Sequence, residues 1–250
     1  MTETTTPNSL STAAAELSLD LIITCADGLE APLQIELSSF GIASEMKSTG
    51  RLAVTGSLRD LYTICLWSRV ASRVLMLIKR KNINTEYDVA EQLYGLAKSV
   101  NWTEQFGLEQ TFAIRLSVDK RVAVSQQFAM LRIKDAIADT FNEIYDSRPN
   151  VDSKNPDFSV FATVNDKQAE LYLDLSGTSL HRRGYRVAMT EAPLKENLAA
   201  ALLYSAGWHK KNDAGNAPFY NALIDPMCGS GTFIIEALLM HCDYAVGIDK

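Results

Sequence analysis

The stretch IDPMCGSGTFIIEA, residues 224–237, holds the side chains of this sequence best suited to ligand chemistry. A short apolar run ends in an acid, Asp225; Gly229 and Gly231 follow, and Thr232 and Phe233 open a helical pattern. Glycines between a strand and a helix let backbone N–H groups approach a ligand closely, at a helix N-terminus that favours negative or electron-rich groups. The neighbouring side chains narrow the choice. A phosphate-binding loop carries lysine where Thr232 follows Gly231, and a dinucleotide fingerprint carries a third glycine where Ile234 stands. An acid beside two glycines suits a cationic ligand such as S-adenosylmethionine, whose ammonium and sulfonium need negative or carbonyl partners. An ordinary tight strand-to-helix turn is the competing reading.

Composition bounds the rest. The chain has 250 residues, of which 47% are hydrophobic, enough for one large or two ordinary domains. A net charge of −6 argues against binding nucleic acid through bulk charge, so any such contact must be local. Cys25, Cys65, Cys228 and Cys242 form no CxxC pair, and His181, His209 and His241 lack metal-ligand spacing. These features predict a reducing, cytoplasmic location and no metal. Residues 1–18 are rich in Thr, Ser and Ala and carry no basic n-region, which predicts a disordered tail rather than a leader. No apolar run approaches the roughly 20 residues of a membrane-spanning helix, so no membrane partner is expected.

The elements that must position the turn read as α/β. LIITC predicts a strand, GLEAPLQIELSSFG a helix closed by Gly41, and EMKSTGRLAVTG a hairpin, together a small ferredoxin-like unit over residues 19–60. SLRDLYTICLWSRVASR starts like a capping box, Ser57 with Asp60, and predicts a helix on which Arg69 and Arg73 share a face. VLMLIKRK predicts a strand. A helix after Thr85 has Val89, Leu93, Leu96, Ala97 and Val100 on one face. TFAIRLSV alternates as a half-buried strand, and a long helix from Ser125 to Tyr145 carries Ala129, Ile133, Ala136, Ile137, Phe141 and Ile144 as its buried stripe. Two further strands meet at Asn165-Asp166, the second with Leu171, Leu173 and Leu175 inward. A domain boundary is expected near 176–180, before the helix PLKENLAAALLYSAGW and the strand that leads into the glycine turn.

With these segments in order, a resemblance becomes specific. DPMCGSGTFIIEA resembles the cofactor motif of THUMP-domain-containing RNA guanine-N2 methyltransferases, and LHRRGYR with APLKENLAAALL resembles the segment that precedes it there. LWSRVASRVLM, NWTEQF and RPNVDSKNPDFSVFATV resemble the THUMP part of the large-subunit ribosomal RNA members. The resemblance implies a THUMP RNA-binding domain over 61–177 and, from 178 to 250, the start of a Rossmann-like methyltransferase domain. It implies S-adenosylmethionine as cofactor, 23S ribosomal RNA as partner, and N2 of a guanine as methyl acceptor. Asp225, Cys228, Gly229, Gly231 and Thr232 would line the cofactor, and Pro193, Leu194, Lys195, Glu196 and Asn197 would form a neighbouring wall. The family's Asn/Asp-Pro-Pro-Phe/Tyr loop, which accepts the N–H hydrogens of the target amine, has only one imitation, NPDF at 155–158, with Asp157 in place of the second proline. The chain is therefore expected to supply RNA docking and part of the cofactor site, the catalytic half lying beyond it. Asp249, about 20 residues after the turn, is a candidate for a ribose hydroxyl.

Local basic clusters are the candidates for RNA. Arg69, Arg73, Lys79, Arg80 and Lys81 lie in a stretch without acids, and Arg182, Arg183 and Arg186 flank Tyr185. A solvated charged face, or for Arg69 a partner acid inside the domain, is the alternative. An N6-adenine DNA methyltransferase and a non-catalytic RNA-binding module are the competing functions.

Overall fold

The computed structural model describes residues 18–186, 193–209, 220 and 222–248. Its frame is one seven-stranded sheet in the order β2-β3-β1-β4-β7-β6-β5. The strands are β1 (Leu19–Thr24), β2 (Glu45–Ser48), β3 (Arg51–Gly56), β4 (Arg73–Asn82), β5 (Phe112–Val118), β6 (Phe158–Val164) and β7 (Gln168–Asp174). All neighbours are antiparallel except β5 and β6, the pair joined through the long helix α4 (Gln126–Tyr145). A parallel pair needs such a crossover.

The first four strands with helices α1 (Glu30–Ser39) and α2 (Leu58–Trp67) make the expected ferredoxin-like unit, but it extends to the end of β4. Residue 60 lies inside α2, so the boundary expected there falls within a helix. That helix starts at a true capping box: Ser57 Oγ accepts from Asp60 N at 3.2 Å and Asp60 Oδ2 accepts from Ser57 N at 2.7 Å. It stops after Trp67, earlier than its apolar pattern suggests. Buried Glu36 on α1 accepts from Ser68 Oγ at 2.5 Å, Arg69 N at 2.7 Å and Val70 N at 3.2 Å, drawing these groups out of the helical ladder. Arg73 then begins β4, so Arg69 and Arg73 share no helix face, contrary to expectation.

The THUMP-like half is welded to this unit through β4 and β7, which pair from Leu75–Asp174 to Asn82–Gln168 with a register shift between Leu77 and Lys79. Helices α3 (Val89–Lys98) and α4 pack on the sheet around Trp102, Phe112, Phe141 and Phe158. The indole N–H of Trp102 donates to Ala97 O at 2.8 Å, which satisfies the polar atom of a fully buried ring. The stripe of α4 is buried through Phe141, whereas Ile144, in its last turn before Asp146 turns left-handed, is 56% exposed.

Past Gly177 the chain forms α5 (Glu196–Ser205) and α6 (Thr232–His241), which pack together and, through Ala201, Tyr204 and Met240, against the core of the ferredoxin-like unit. Residues 222–224 are not a strand, contrary to expectation. A strand needs a neighbour to satisfy its backbone groups, and none pairs with this segment among the described residues.

Candidate cofactor turn and its supports

The glycine turn is built as its sequence requires. Gly229 (φ 51°) and Gly231 (φ 75°) take the left-handed conformation, and Gly231 caps the N-terminus of α6. No heavy atom lies within 4 Å of where a Cβ would stand on either glycine, so the space beside them is open. No side chain caps the first turn of α6 and no acid stands in it, which leaves its N–H groups for a ligand. Asp225 Oδ1 accepts from Met227 N at 3.1 Å, while Oδ2 is buried and without a hydrogen-bond partner. A buried carboxylate oxygen of this kind calls for a donor. Open space over two glycines, free helix N–H groups and an unpartnered carboxylate oxygen fit a ligand with an ammonium and a bulky nucleoside.

One side chain joins this turn to its expected wall. Arg186 Nη2 donates to Leu194 O at 2.8 Å, pairs with Glu196 Oε1 at 3.1 Å and reaches Thr232 Oγ1 at 3.4 Å. Leu194, Glu196 and Thr232 therefore meet through Arg186, which is spent on this junction rather than offered to RNA. Pro193 is half-buried next to Leu194, and Lys195 is exposed at the N-cap of α5. Asn197 turns away: its Nδ2 donates to Ser72 Oγ at 3.0 Å and Val70 O at 3.4 Å, so it fastens α5 to the ferredoxin-like unit instead of lining the turn. Cys228 is exposed on the turn. Asp249 lies outside the described residues.

Beneath the turn, α6 is held by arginines that sequence reasoning had assigned to RNA. Arg69 is 5% exposed and donates through Nη2 to Leu239 O at 3.0 Å and Tyr244 O at 2.7 Å, at the C-terminal end of α6. Arg183 is 7% exposed; it donates to Arg69 O at 2.5 Å and to Leu180 O, and its Nε lies 3.5 Å from Glu236 Oε1. Tyr185 donates to the same carboxylate at 3.1 Å. Burial pushes the Glu236 carboxyl above the ordinary glutamate range against the pull of Arg183, and burial depresses the Arg69 guanidinium. These two arginines are internal ties, a correction to their reading as RNA contacts. Glu236 was missed; its signal was a lone acid in an otherwise apolar helix. The chain also comes close at Gly247, whose N–H donates to Leu66 O at 2.8 Å and where a Cβ would stand 2.4 Å from Cys65 O.

The remaining basic candidates divide. Arg182 is exposed. Lys79 Nζ donates to Ser99 O at 2.7 Å on the helix side of the sheet, and Lys81 takes the same side as Lys79 by alternation along β4. Arg73 and Arg80 lie on the other side, paired with Asp174 and Glu170.

Residues 20–75 match the RlmL ferredoxin-like domain, 87–174 the THUMP domain, and 183–249 the RMKL-like methyltransferase domain. The chain carries, in order, a ferredoxin-like, a THUMP and an RMKL-like methyltransferase domain. It is 92% identical over 250 residues to the ribosomal RNA large subunit methyltransferase K/L of Psychrobacter arcticus, a match covering 100% of this chain and 33% of that relative. The chain thus spans about a third of the length of the curated relatives it matches. Among solved structures, a predicted N6-adenine-specific DNA methylase from Listeria monocytogenes superposes with a TM-score of 0.74 at 26% identity, covering 94% of this chain and 58% of that one. SMU.472, solved in complex with SAH, gives a TM-score of 0.73 at 25% identity, covering 93% and 58%. Among the described residues, no helix is long and apolar enough to cross a membrane, and no group of three or more His, Cys, Asp or Glu could hold a metal ion.

Proposed function

We propose that this chain serves a cytoplasmic S-adenosylmethionine-dependent methyltransferase that modifies the exocyclic N2 of a guanine in 23S ribosomal RNA. The carrying observation is the buried, unpartnered Asp225 oxygen four residues before an open glycine turn, on a chain whose ferredoxin-like and THUMP domains share one sheet. The name of the Psychrobacter relative supports ribosomal RNA as substrate, and the SAH bound by SMU.472 supports the cofactor.

The cofactor supplies an electrophilic methyl group on a sulfonium. Asp225 Oδ2 would take the ammonium, Gly229 and Gly231 would admit the nucleoside against backbone, and Cys228 and Thr232 would flank it. Arg186 keeps the Leu194–Glu196 wall at a set place relative to Thr232. Orienting donor and acceptor in this way contributes through proximity rather than through acid or base chemistry.

Binding of SAH measured by calorimetry tests the site: Asp225→Ala is expected to weaken it at least tenfold and Asp225→Asn by less. Deleting the parent gene and quantifying nucleosides by mass spectrometry tests the reaction. Loss of N2-methylguanosine from large-subunit RNA alone supports it. The name of the Listeria structure favours a second reading, methylation of adenine N6 in DNA; loss of N6-methyladenine from DNA would establish that instead.

A further inference from the structure

The sheet has a face that no described helix covers. Along it runs a thin apolar strip made of strand residues alone, Ile22, Leu75 and Tyr172 flanked by Ala53, Leu77 and Phe161. Beside this strip two buried carboxylates on β7 each hold two cations. Glu170 accepts from Lys47 at 2.9 Å and Arg80 at 3.0 Å; Asp174 pairs with Arg73 and, at 3.5 Å, with Arg115. The carboxylates are 5% and 1% exposed, whereas Lys47, Arg80, Arg73 and Arg115 are 31%, 46%, 21% and 38% exposed. At these two clusters the acids lie below and the cations above. Arg51 joins them, in register with Thr24, which is itself paired with Arg73.

Five cations stand over two buried carboxylates on this face, which also carries the exposed acids Asp20 and Glu45, in register with Thr55 and Ala53. Burial works against the Glu170 charge, but hydrogen bonds from Tyr172 and Lys47 outweigh it and hold the carboxyl below its ordinary range. Burial and then the like charge of Arg73 depress the Arg115 guanidinium against the pull of Asp174. The two clusters are centred four residues apart on one strand, about 13 Å, with partly buried Phe161 beside the line between them. The track ends at Arg73, next to Ser72, which holds Asn197 of the methyltransferase part.

We propose that this helix-free face docks the phosphate backbone of RNA through Lys47, Arg51, Arg73, Arg80 and Arg115, laying the strand toward the methyltransferase part. The buried carboxylates fix the guanidinium groups in place before binding, which lowers the ordering cost of the contact. Phosphate contacts of this kind position an RNA rather than read its sequence. The proposal rests on the RNA reading above.

The test is binding of a fluorescently labelled RNA hairpin to the chain, titrated against salt. The double variant Arg80→Gln/Arg115→Gln is expected to lose about tenfold in affinity near 0.1 M salt and to flatten the salt slope by about 1 to 2. Lys120→Gln/Lys134→Gln removes the same charge elsewhere and is expected to leave both unchanged. Arg51→Gln, which leaves both carboxylate clusters intact, is expected to lose two- to threefold with an unchanged unfolding midpoint, so the proposal survives if the double variant folds poorly. RNA binding with an unaltered slope in the Arg80/Arg115 and Arg51 variants would overturn this surface while the RNA reading stands. No RNA binding by the parent chain would overturn both. Binding of polyglutamate but not RNA, lost in these variants, would replace RNA with an acidic protein partner.

Discussion

The Arg69 guanidinium donates to Leu239 O at 3.0 Å across 170 residues of sequence. A loop of the ferredoxin-like unit thereby caps the C-terminal end of the helix whose N-terminus is the glycine turn, where a cation is favoured by the helix dipole. The ferredoxin-like unit and the helix that carries the glycine turn are thus tied to each other directly.

Arg69→Met keeps most of the side-chain stem but removes both donated bonds to the carbonyls of Leu239 and Tyr244. Charged hydrogen bonds of this kind contribute about 1.5–3 kcal/mol each when buried, and a loss of about 2–4 kcal/mol is expected in urea unfolding. Arg69→Lys should recover part of it, since one ammonium cannot reach both carbonyls with the same planar geometry.

Glu236 sets a pH dependence. Burial raises its folded-state pKa, so the native chain holds the proton more tightly than the unfolded one. Its contribution is complete below the ordinary glutamate value near 4.5 and is lost as pH rises through the folded pKa. Glu236→Gln removes this slope: relative to the parent, its unfolding free energy should improve as pH is raised from 4.5 through the folded pKa and level off beyond it. A constant difference across that range would show that Glu236 is ionised throughout.

Much of this was legible in the sequence. The strand and helix order followed from apolar periodicity, and the α2 start from Ser57 and Asp60. The end of α2 was not legible, because the groups that terminate it are captured by Glu36, 33 residues earlier in the chain. The bulge between Leu77 and Lys79 likewise leaves no local mark, yet it decides that Arg80 faces the open side of the sheet and Lys79 the helices. Arg183 and Arg186 read as surface charges by type; only tertiary contacts show one buried on Glu236 and the other bridging the two walls of the turn.

Cysteine reactivity should follow burial. Partial burial, then the charges of Glu30 and Asp27, push the Cys25 thiol up to about 12, so little thiolate exists at pH 8. Cys228 and Cys242 are exposed. Mass-spectrometric mapping of iodoacetamide labelling at pH 8 is expected to find both modified well before Cys25.

Gly231→Ala separates strain from occupancy. An L-residue at φ 75° costs about 1–2 kcal/mol, and no neighbour lies within 4 Å to clash with the methyl group. Gly41→Ala is a matched control, with φ 77° and equally open surroundings at the end of α1. Both variants should lose similar stability, but only Gly231→Ala should weaken SAH binding, by tenfold or more. Equal SAH binding in the two would remove the cofactor from this turn.

Arg186 offers the sharpest test of how the turn is held. Its three contacts converge from the segment after the domain boundary onto Leu194, Glu196 and Thr232, so a short neutral side chain would let the wall drift from the turn without touching the cofactor's own partners. Arg186→Ala should therefore weaken SAH binding about tenfold, near 1.4 kcal/mol, and Glu196→Gln by less, because the bonds to Leu194 and Thr232 persist. If Arg186 acts only through Glu196, the double variant should bind no more weakly than Arg186→Ala alone. If the two losses instead add, the residues act on the turn independently, and the coupling read from their 3.1 Å contact is absent.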